Sequence, residues 1–388
     1  MFTLKSSQVF EKSKKSNVQV LPPVISSSFL LFSKFYSRNL SPVGDFPRRV
    51  SIGELLYQDS SNKILSPVNG LAFLNPQENN ISLRIDGELN FKPTYEKKDY
   101  NINEIKSRLN DLGIVSLDFN CEPFSKFLEE FSGSKESLIV FSPLTAEGNY
   151  DYKSVILSKY KPEFDTFKKS LEKAFSNSKI FDFLIEKKVN YKYPDGLYEL
   201  FLKKYCNVTQ PNFINHNNIL FIGPETLYYI LQALYYNSPF HERLVSVNIL
   251  NKKGKFEGET KYFNIKNGTN LTNFFQYFKS KYKYNYFTTN SLYNKEPVLE
   301  IGDDYIYNIY NHSSFYICET KNSSITEGIC IDCGDCNYYC PVNANPKALL
   351  NINITDFKID ICINCGICTV FCPANIDFQN RIKKERGN

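Results

Sequence analysis

Eight of the eleven cysteines in this 388-residue chain repeat one spacing: Cys330, Cys333, Cys336 and Cys340-Pro341, then Cys362, Cys365, Cys368 and Cys372-Pro373. Both copies read CxxCxxCxxxCP. Three thiolates at i, i+3 and i+6 in a tight loop can wrap three irons of a cube, whereas a fourth on the next turn points away. The proline that follows stops a local helix from running back into the loop. Gly334 and Gly366 stand between ligands, where a side chain would crowd a cluster. Structural zinc is the competing chemistry, but it uses separated cysteine pairs with four ligands of its own. Disulfides need an oxidising compartment, and the first residues do not read as a signal peptide.

The spacing resembles that of the bacterial two-cluster ferredoxins, in which the fourth cysteine of each run ligates the other cluster. The resemblance implies two [4Fe-4S] clusters, one held by Cys330, Cys333, Cys336 and Cys372, the other by Cys362, Cys365, Cys368 and Cys340.

Such a unit needs only a fraction of this length, so two to four domains are expected. A net charge of +5 is modest for the size and, with no basic patch interleaved with aromatics, argues against nucleic acid. The apolar run Val24 to Tyr36 is broken by Ser26, Ser27, Ser28, Ser33 and Lys34. It falls short of the roughly 20 apolar residues of a spanning helix. Reduced thiols and oxygen-sensitive clusters point to the cytoplasm.

Residues 1–37, rich in Lys and Ser, read as an irregular lead-in. From Pro42, short β-like segments follow, among them Val50 to Gly53, Leu55 to Tyr57, Leu71 to Leu74 and Ile81 to Ile85. The Val50xxGly53 and Ser66-Pro67-Val68-Asn69-Gly70 segments look like a lipoyl-type barrel-sandwich. Lys63 lies too near Ser66 for a carrier lysine, which favours a structural or docking module. Helical periodicity over Ile102 to Leu112 ends at Gly113, and Ile114 to Phe119 reads as a strand. Leu138 to Phe141, Val155 to Leu157 and Ile219 to Ile222 read as strands, Ile180 to Leu184 as a strand or a helix start, and Glu163 to Phe175, Leu197 to Tyr205 and Thr226 to Tyr236 as helices. Leu244 to Leu250, Tyr262 to Ile265 and helix Leu271 to Phe278 suggest a β-grasp unit, and Phe315 to Cys318 a last strand.

These landmarks, in this order, resemble the C subunit of the Rnf ion-translocating electron-transport complex. Cys121-Glu122-Pro123-Phe124 is similar to the family's ECEPY segment, Lys161-Pro162-Glu163 to its NKPEA helix start, and Lys192-Tyr193-Pro194-Asp195-Gly196 to its KYPQG loop. Gly223-Pro224-Glu225-Thr226-Leu227, Pro239 with Glu242-Arg243-Leu244-Val245, and Cys372-Pro373-Ala374-Asn375-Ile376 match three further stretches. One departure stands out. The family's GxGGAGFPT loop is absent, because Leu112-Gly113-Ile114-Val115 runs almost directly into Cys121, and Asn120 replaces the acid before the CEP segment. Backbone anion binding needs such glycines and a free helix N-terminus. Thr226, which corresponds to a flavin-phosphate threonine in complex I relatives, reads as an N-terminal cap.

The resemblance implies a multidomain α+β chain: residues 1–37 irregular, 38–95 a barrel-sandwich, 96–242 an α/β unit like the complex I flavoprotein, 243–325 a β-grasp with connector, and 326–388 a two-cluster ferredoxin. The expected role is an electron-transfer subunit of an Rnf-like membrane complex, peripheral on the cytoplasmic face of the cell membrane and held there by other subunits. FMN is not expected and no catalytic residue is assigned. An NADH-oxidising flavoprotein and a non-redox scaffold stapled by its clusters remain the alternatives. Cys121, Cys206 and Cys318 read as small core residues, and His216, His241 and His312 as structural or surface residues.

Overall fold

The computed structural model describes residues 20–21, 28–32, 34–35, 38–88, 90–118, 121–145, 150–185, 194–208, 217–251, 257–282, 284–289, 299–302, 305–311, 313–318, 327–350 and 356–386. Asn120, Lys192, Tyr193, His216 and His312 lie outside them. Several sheets and surrounding helices give a mixed α/β architecture.

The first layer is all β. Strands Ser28–Phe32, Asn80–Ile85, Gly70–Asn75 and Arg48–Val50 form one antiparallel sheet in that order, and Ser41–Pro42, Leu55–Gln58 and Lys63–Leu65 form another. Phe29, Leu31, Val50, Leu56, Ala72, Ile81 and Leu83 bury the apolar faces. Gly70 is required sterically, because a Cβ there would collide with the Arg84 carbonyl.

The stretch expected as an irregular lead-in is partly structural. Ser28–Phe32 pairs along its length with Asn80–Ile85, and Val20–Leu21 pairs in parallel with Lys261–Lys266. Phe29 and Leu31 alternate into the core while serines dilute the pattern around them, so periodicity does not announce a strand.

A parallel sheet follows, with Leu138–Phe141 central between Lys179–Asp182 and Ile219–Ile222. Leu138–Phe141 and Ile219–Ile222 are continuously apolar, which suits burial on both faces, while Lys179–Asp182 is the more exposed edge. Helix Ile102–Asp111 starts with a capping box in which Asn101 and Glu104 exchange bonds with each other's backbone N–H. Helix Lys161–Ala174, with Pro162 in its first turn, sets Phe164 edge-on against Phe141 at 5.2 Å. Val155 to Leu157, expected as a strand, lies inside helix Tyr152–Lys159, which Asp151 caps through the Ser154 N–H. A three-residue apolar run cannot distinguish a strand from one buried helical turn. Of the expected strand Ile114 to Phe119, Phe119 lies outside the described residues and Ile114 to Asp118 make only a bridge from Val115 to Pro123.

A six-stranded sheet has the order Val20–Leu21, Lys261–Lys266, Glu242–Leu250, Ser314–Cys318, Tyr286–Thr289, Leu299–Glu300. Helix Thr272–Tyr282 covers it, with Phe275 stacked on Phe287 at 4.1 Å and edge-on to Phe315 at 5.2 Å. Among the described residues no helix is long and apolar enough to cross a membrane.

Candidate metal centre

The cysteine-rich segment is built as two copies of one backbone. Gly334 (φ +78°) and Gly366 (φ +77°) start the short helices Asp335–Tyr338 and Ile367–Val370 in the left-handed region that glycine enters at no steric cost. Asp332 and Asn364, two residues past each copy's first cysteine, and Asn343 and Asn375, past each Cys-Pro pair, are left-handed as well. Asn and Asp tolerate that region best among side-chain-bearing residues. Such alternation of hand turns successive backbone N–H groups into a concavity, the kind of cradle that iron–sulfur sites use.

The two copies clasp each other. Gly328 donates its N–H to the Ala374 carbonyl at 2.8 Å, Asp377 donates its N–H to Glu327 at 2.7 Å, and Arg381 donates to the same carboxylate at 2.9 Å. Asn337 accepts the Lys347 N–H, and at the matching place in the second copy Thr369 accepts the Gln379 N–H, both at 3.0 Å. Tyr339 and Phe371, each just before a Cys-Pro pair, stack at 4.3 Å with an interplanar angle of 26°.

Around this joint the sulfurs gather across the repeat. Cys372 of the second copy lines the same recess as Cys330, Cys333 and Cys336 of the first. Burial pushes the Cys336 thiol up to about 11, and its neighbours Cys372, Cys333 and Cys330 add to the rise. Reciprocally, Cys340 of the first copy stands with Cys362, Cys365 and Cys368. Burial pushes Cys365 up to about 12 and Cys368 further, with Cys340 and the copy's own sulfurs contributing. As bare thiols these groups hold their protons at neutral pH, so a bound cation must displace them.

Backbone N–H groups aim at sulfur in both copies. Ala344 donates to Cys340 Sγ at 3.2 Å and Ile376 to Cys372 Sγ at 3.4 Å, on the fourth cysteine of each run. Backbone bonds from Asn337, Asn364, Ile367 and Thr369 hold down the rise of Cys336, Cys362, Cys365 and Cys368 that burial causes. Among the described residues no three His, Cys, Asp or Glu converge as a single ion would require. The all-cysteine donor set, in two groups of four, and the concave loops fit iron–sulfur clusters held by thiolates.

The two sets differ in cover. Cys330 and Cys333 are exposed, whereas Cys362 and Cys365 are half-buried. Helix Tyr198–Tyr205 lays Leu200 into the same core as Cys336, Cys368, Cys372, Phe378 and Ile382. Arg386 donates to the Cys362 carbonyl. Burial raises the neighbouring Glu199 carboxyl to about 7, with Arg386 pulling it back.

A second polar centre lies at helix Pro224–Tyr236, and no local sequence signal marks its acid, Asp118. Asp118 Oδ2 accepts from the Gly223 N–H at 2.9 Å and from the Thr226 hydroxyl at 2.7 Å. Thr226, expected as the cap, is instead three residues inside the helix; Gly223 holds the cap position. The Thr226 oxygen accepts the Leu117 N–H at 3.0 Å, which ties Leu117, next to Asp118, to the start of the helix. Burial raises Asp118 to about 6 against the pull of its two donors.

Next to it, Arg243 donates from Nε and Nη2 to the two oxygens of Glu225 at 2.8 and 3.0 Å, and from Nη1 to the Ile309 carbonyl at 2.9 Å. Tyr152 donates to Glu225 at 3.3 Å. Burial lifts that phenol well above its usual range. Cys121 and Cys318 are buried, as expected of small core residues, and Cys206 is half-buried. His241 is buried, its Nδ1 within 2.8 Å of the Pro239 carbonyl.

No family model matches the chain. Among curated proteins it is similar to the C subunit of the ion-translocating oxidoreductase complex of Buchnera aphidicola subsp. Acyrthosiphon pisum (strain APS), at 29% identity over 189 residues, 46% of this chain and 37% of that protein. Among solved structures, a chain of an NAD+-reducing [NiFe]-hydrogenase in the air-oxidised state aligns with 56% of this chain and 46% of its own, at TM-score 0.40 and 8% identity. Over less than half of its length, this chain is thus a sequence relative of the C subunit of an ion-translocating oxidoreductase complex, the family that its ordered local motifs resemble.

Proposed function

We propose that the chain is the electron-transfer subunit of an Rnf-like ion-translocating oxidoreductase complex, carrying two [4Fe-4S] clusters. The clusters, when bound, supply reversible one-electron transfer. Cys330, Cys333, Cys336 and Cys372 hold one, and Cys362, Cys365, Cys368 and Cys340 the other. The observation that carries this reading is the crossed grouping, in which the fourth cysteine of each run stands with the first three of its counterpart. The relative from Buchnera aphidicola, a subunit of an ion-translocating oxidoreductase complex, supports the same class of assembly.

On this reading residues 38–95 are a barrel-sandwich module, 96–242 an α/β flavoprotein-like unit, 243–325 a β-grasp unit with connector, and 326–388 the two-cluster ferredoxin unit. Its partners are other subunits of the complex, which hold it on the cytoplasmic face of the membrane. FMN is not assigned to the α/β unit, where Asp118 already accepts from the Gly223 N–H and the Thr226 hydroxyl at the start of helix Pro224–Tyr236.

Anaerobic reconstitution tests it. About eight irons and eight sulfides per chain are expected from two cubanes, with an EPR signal on dithionite reduction. Zinc in place of iron, stoichiometric FMN in the folded protein, or cluster bleaching by NADH without a partner would each overturn it.

A further inference from the structure

The two copies present the same ligand type on closely similar backbone, so their surroundings distinguish the clusters they hold. The potential of such a cluster responds to net charge, hydrogen bonds to sulfur and solvent exposure. Each copy has a cation beside its ligands. In the first, Lys347 pairs with Asp332, and the Cys330 and Cys336 sulfurs act on the same ammonium. In the second, Arg386 donates to the Cys362 carbonyl, and its charge opposes the rise that burial causes in the Cys362 thiol.

The acids that face these cations differ in origin. Asp332 lies inside the ligand loop of the first copy, between Cys330 and Cys333. Glu199 comes from helix Tyr198–Tyr205, far earlier in the chain, and that helix docks through Leu200 into one core with Cys336, Cys368 and Cys372. Glu199 is half-buried, the Tyr198 hydroxyl bonds to its carboxyl, and Arg386 favours its ionised form. One guanidinium therefore serves both a ligand residue of the second set and an acid delivered by a distant helix.

We propose that Arg386 and Glu199 are positioning residues that set the potential of the cluster held by Cys362, Cys365, Cys368 and Cys340, the arginine raising it and the acid lowering it. This rests on the cluster reading above. Reduction adds one electron to a centre that already carries the charge of four thiolates, and no bond breaks or forms. A cation beside it favours the reduced form and an anion disfavours it, in proportion to their closeness. Arg386 is exposed, so salt screens its field, with a decay length of about 10 Å at 0.1 M. Helix Tyr198–Tyr205 thereby tunes one cluster, while the Lys347–Asp332 pair, drawn from the ferredoxin-like segment alone, tunes the other. Two clusters with identical ligands acquire unequal potentials, which gives an electron a preferred resting place.

The test is a potentiometric EPR titration of the full-length, anaerobically reconstituted protein, at a pH well above the value of about 7 near which Glu199 ionises. At low salt, R386M should make reduction of this cluster about tenfold less favourable, a shift of about 59 mV for one electron. E199Q should move the same midpoint the opposite way, R386K should restore it, and high salt should shrink both shifts. The other cluster should keep its midpoint in all three variants, and K347M should move only that one. Repeating R386M in the C336S background, where the other cluster is lost, identifies the signal. Midpoints unchanged in R386M and E199Q, shifts of the same sign in the two variants, or shifts shared by both clusters overturn the proposal. If R386M loads poorly, the sign and salt dependence of the E199Q shift decide. A wild-type chain that takes up no iron and sulfide instead sinks the cluster reading, a failure read before any potential is measured.

Discussion

Asp118 and Gly223, 105 residues apart in the chain, meet where a carboxylate oxygen accepts the N–H that opens helix Pro224–Tyr236. A negative charge at a helix N-terminus is stabilised by the aligned peptide dipoles. Here that charge comes from the chain itself. A Cβ on Gly223 would run into the Asp118 carboxylate, so the glycine is what lets the acid approach.

The pH dependence of stability carries the signature of this acid. With Asp118 raised from 3.8 to about 6 in the fold, the native state binds the extra proton between those values. Its contribution therefore falls as pH rises from about 4 to 6, by roughly 3 kcal/mol. Burial lowers His241 from 6.5 to about 4, so its contribution runs the other way, present above 6.5 and lost as pH falls towards 4. The two oppose each other between pH 4 and 6. In D118N, whose amide oxygen can still accept both bonds, urea melts should show stabilisation at pH 7 that vanishes near pH 4. Loss of stability on acidification should be steeper than in wild type, and a D118N curve parallel to wild type across that window would refute the assignment.

Arg243 joins helix Pro224–Tyr236 to strand Glu242–Leu250 and to the Ile309 carbonyl, with its side chain only 7% exposed. Removing one member of a buried pair leaves the other charge uncompensated, at a cost of roughly 3–5 kcal/mol. R243M and E225Q should each lower the unfolding free energy from urea melts by that order. The double variant should cost less than the sum of the two, and strict additivity would mean that the pair is not coupled.

Crossed ligation makes a prediction that sequence order would not. C336S and C372S should damage the same cluster, each leaving about four irons per chain and the same residual EPR spectrum. C340S should match C368S instead. Pairing of C340S with C336S would show that each run holds its own cluster.

The Tyr339–Phe371 stack, at 4.3 Å, spans the two copies at their joint. Aromatic pairs of this kind contribute about 0.5–1.5 kcal/mol beyond area burial. A Y339A/F371A double-mutant cycle on thermal unfolding of the iron-loaded protein should return a coupling in that range, and near-zero coupling would reduce the stack to coincidence.

Legibility followed locality. The cysteine spacing, the helix at Ile102–Asp111 with its capping box, and strand Ile219–Ile222 depend on neighbours within a few residues, and they could be read directly. Asp118 could not, because its partners Gly223 and Thr226 are distant and nothing local distinguishes it from a loop acid. Thr226 looked like a cap for the same reason: its type fits, but the carboxylate that does the capping lies outside any local window. Val155 was misassigned because helix Tyr152–Lys159 buries only Tyr152 and Ile156, too few positions to show a helical period.

Strand Ser28–Phe32 has a further meaning when the chain is considered as something made in time. It pairs with Asn80–Ile85, and Leu30 also donates its N–H to the Gly268 carbonyl at 2.9 Å. Among the first described segments to be synthesised, it must find one neighbour early and hold a place for another that emerges much later. Closing such distant pairings is slow relative to local ones. During synthesis, that strand therefore waits with one side unfinished, and the nascent protein stays open along this seam until Gly268 has been made.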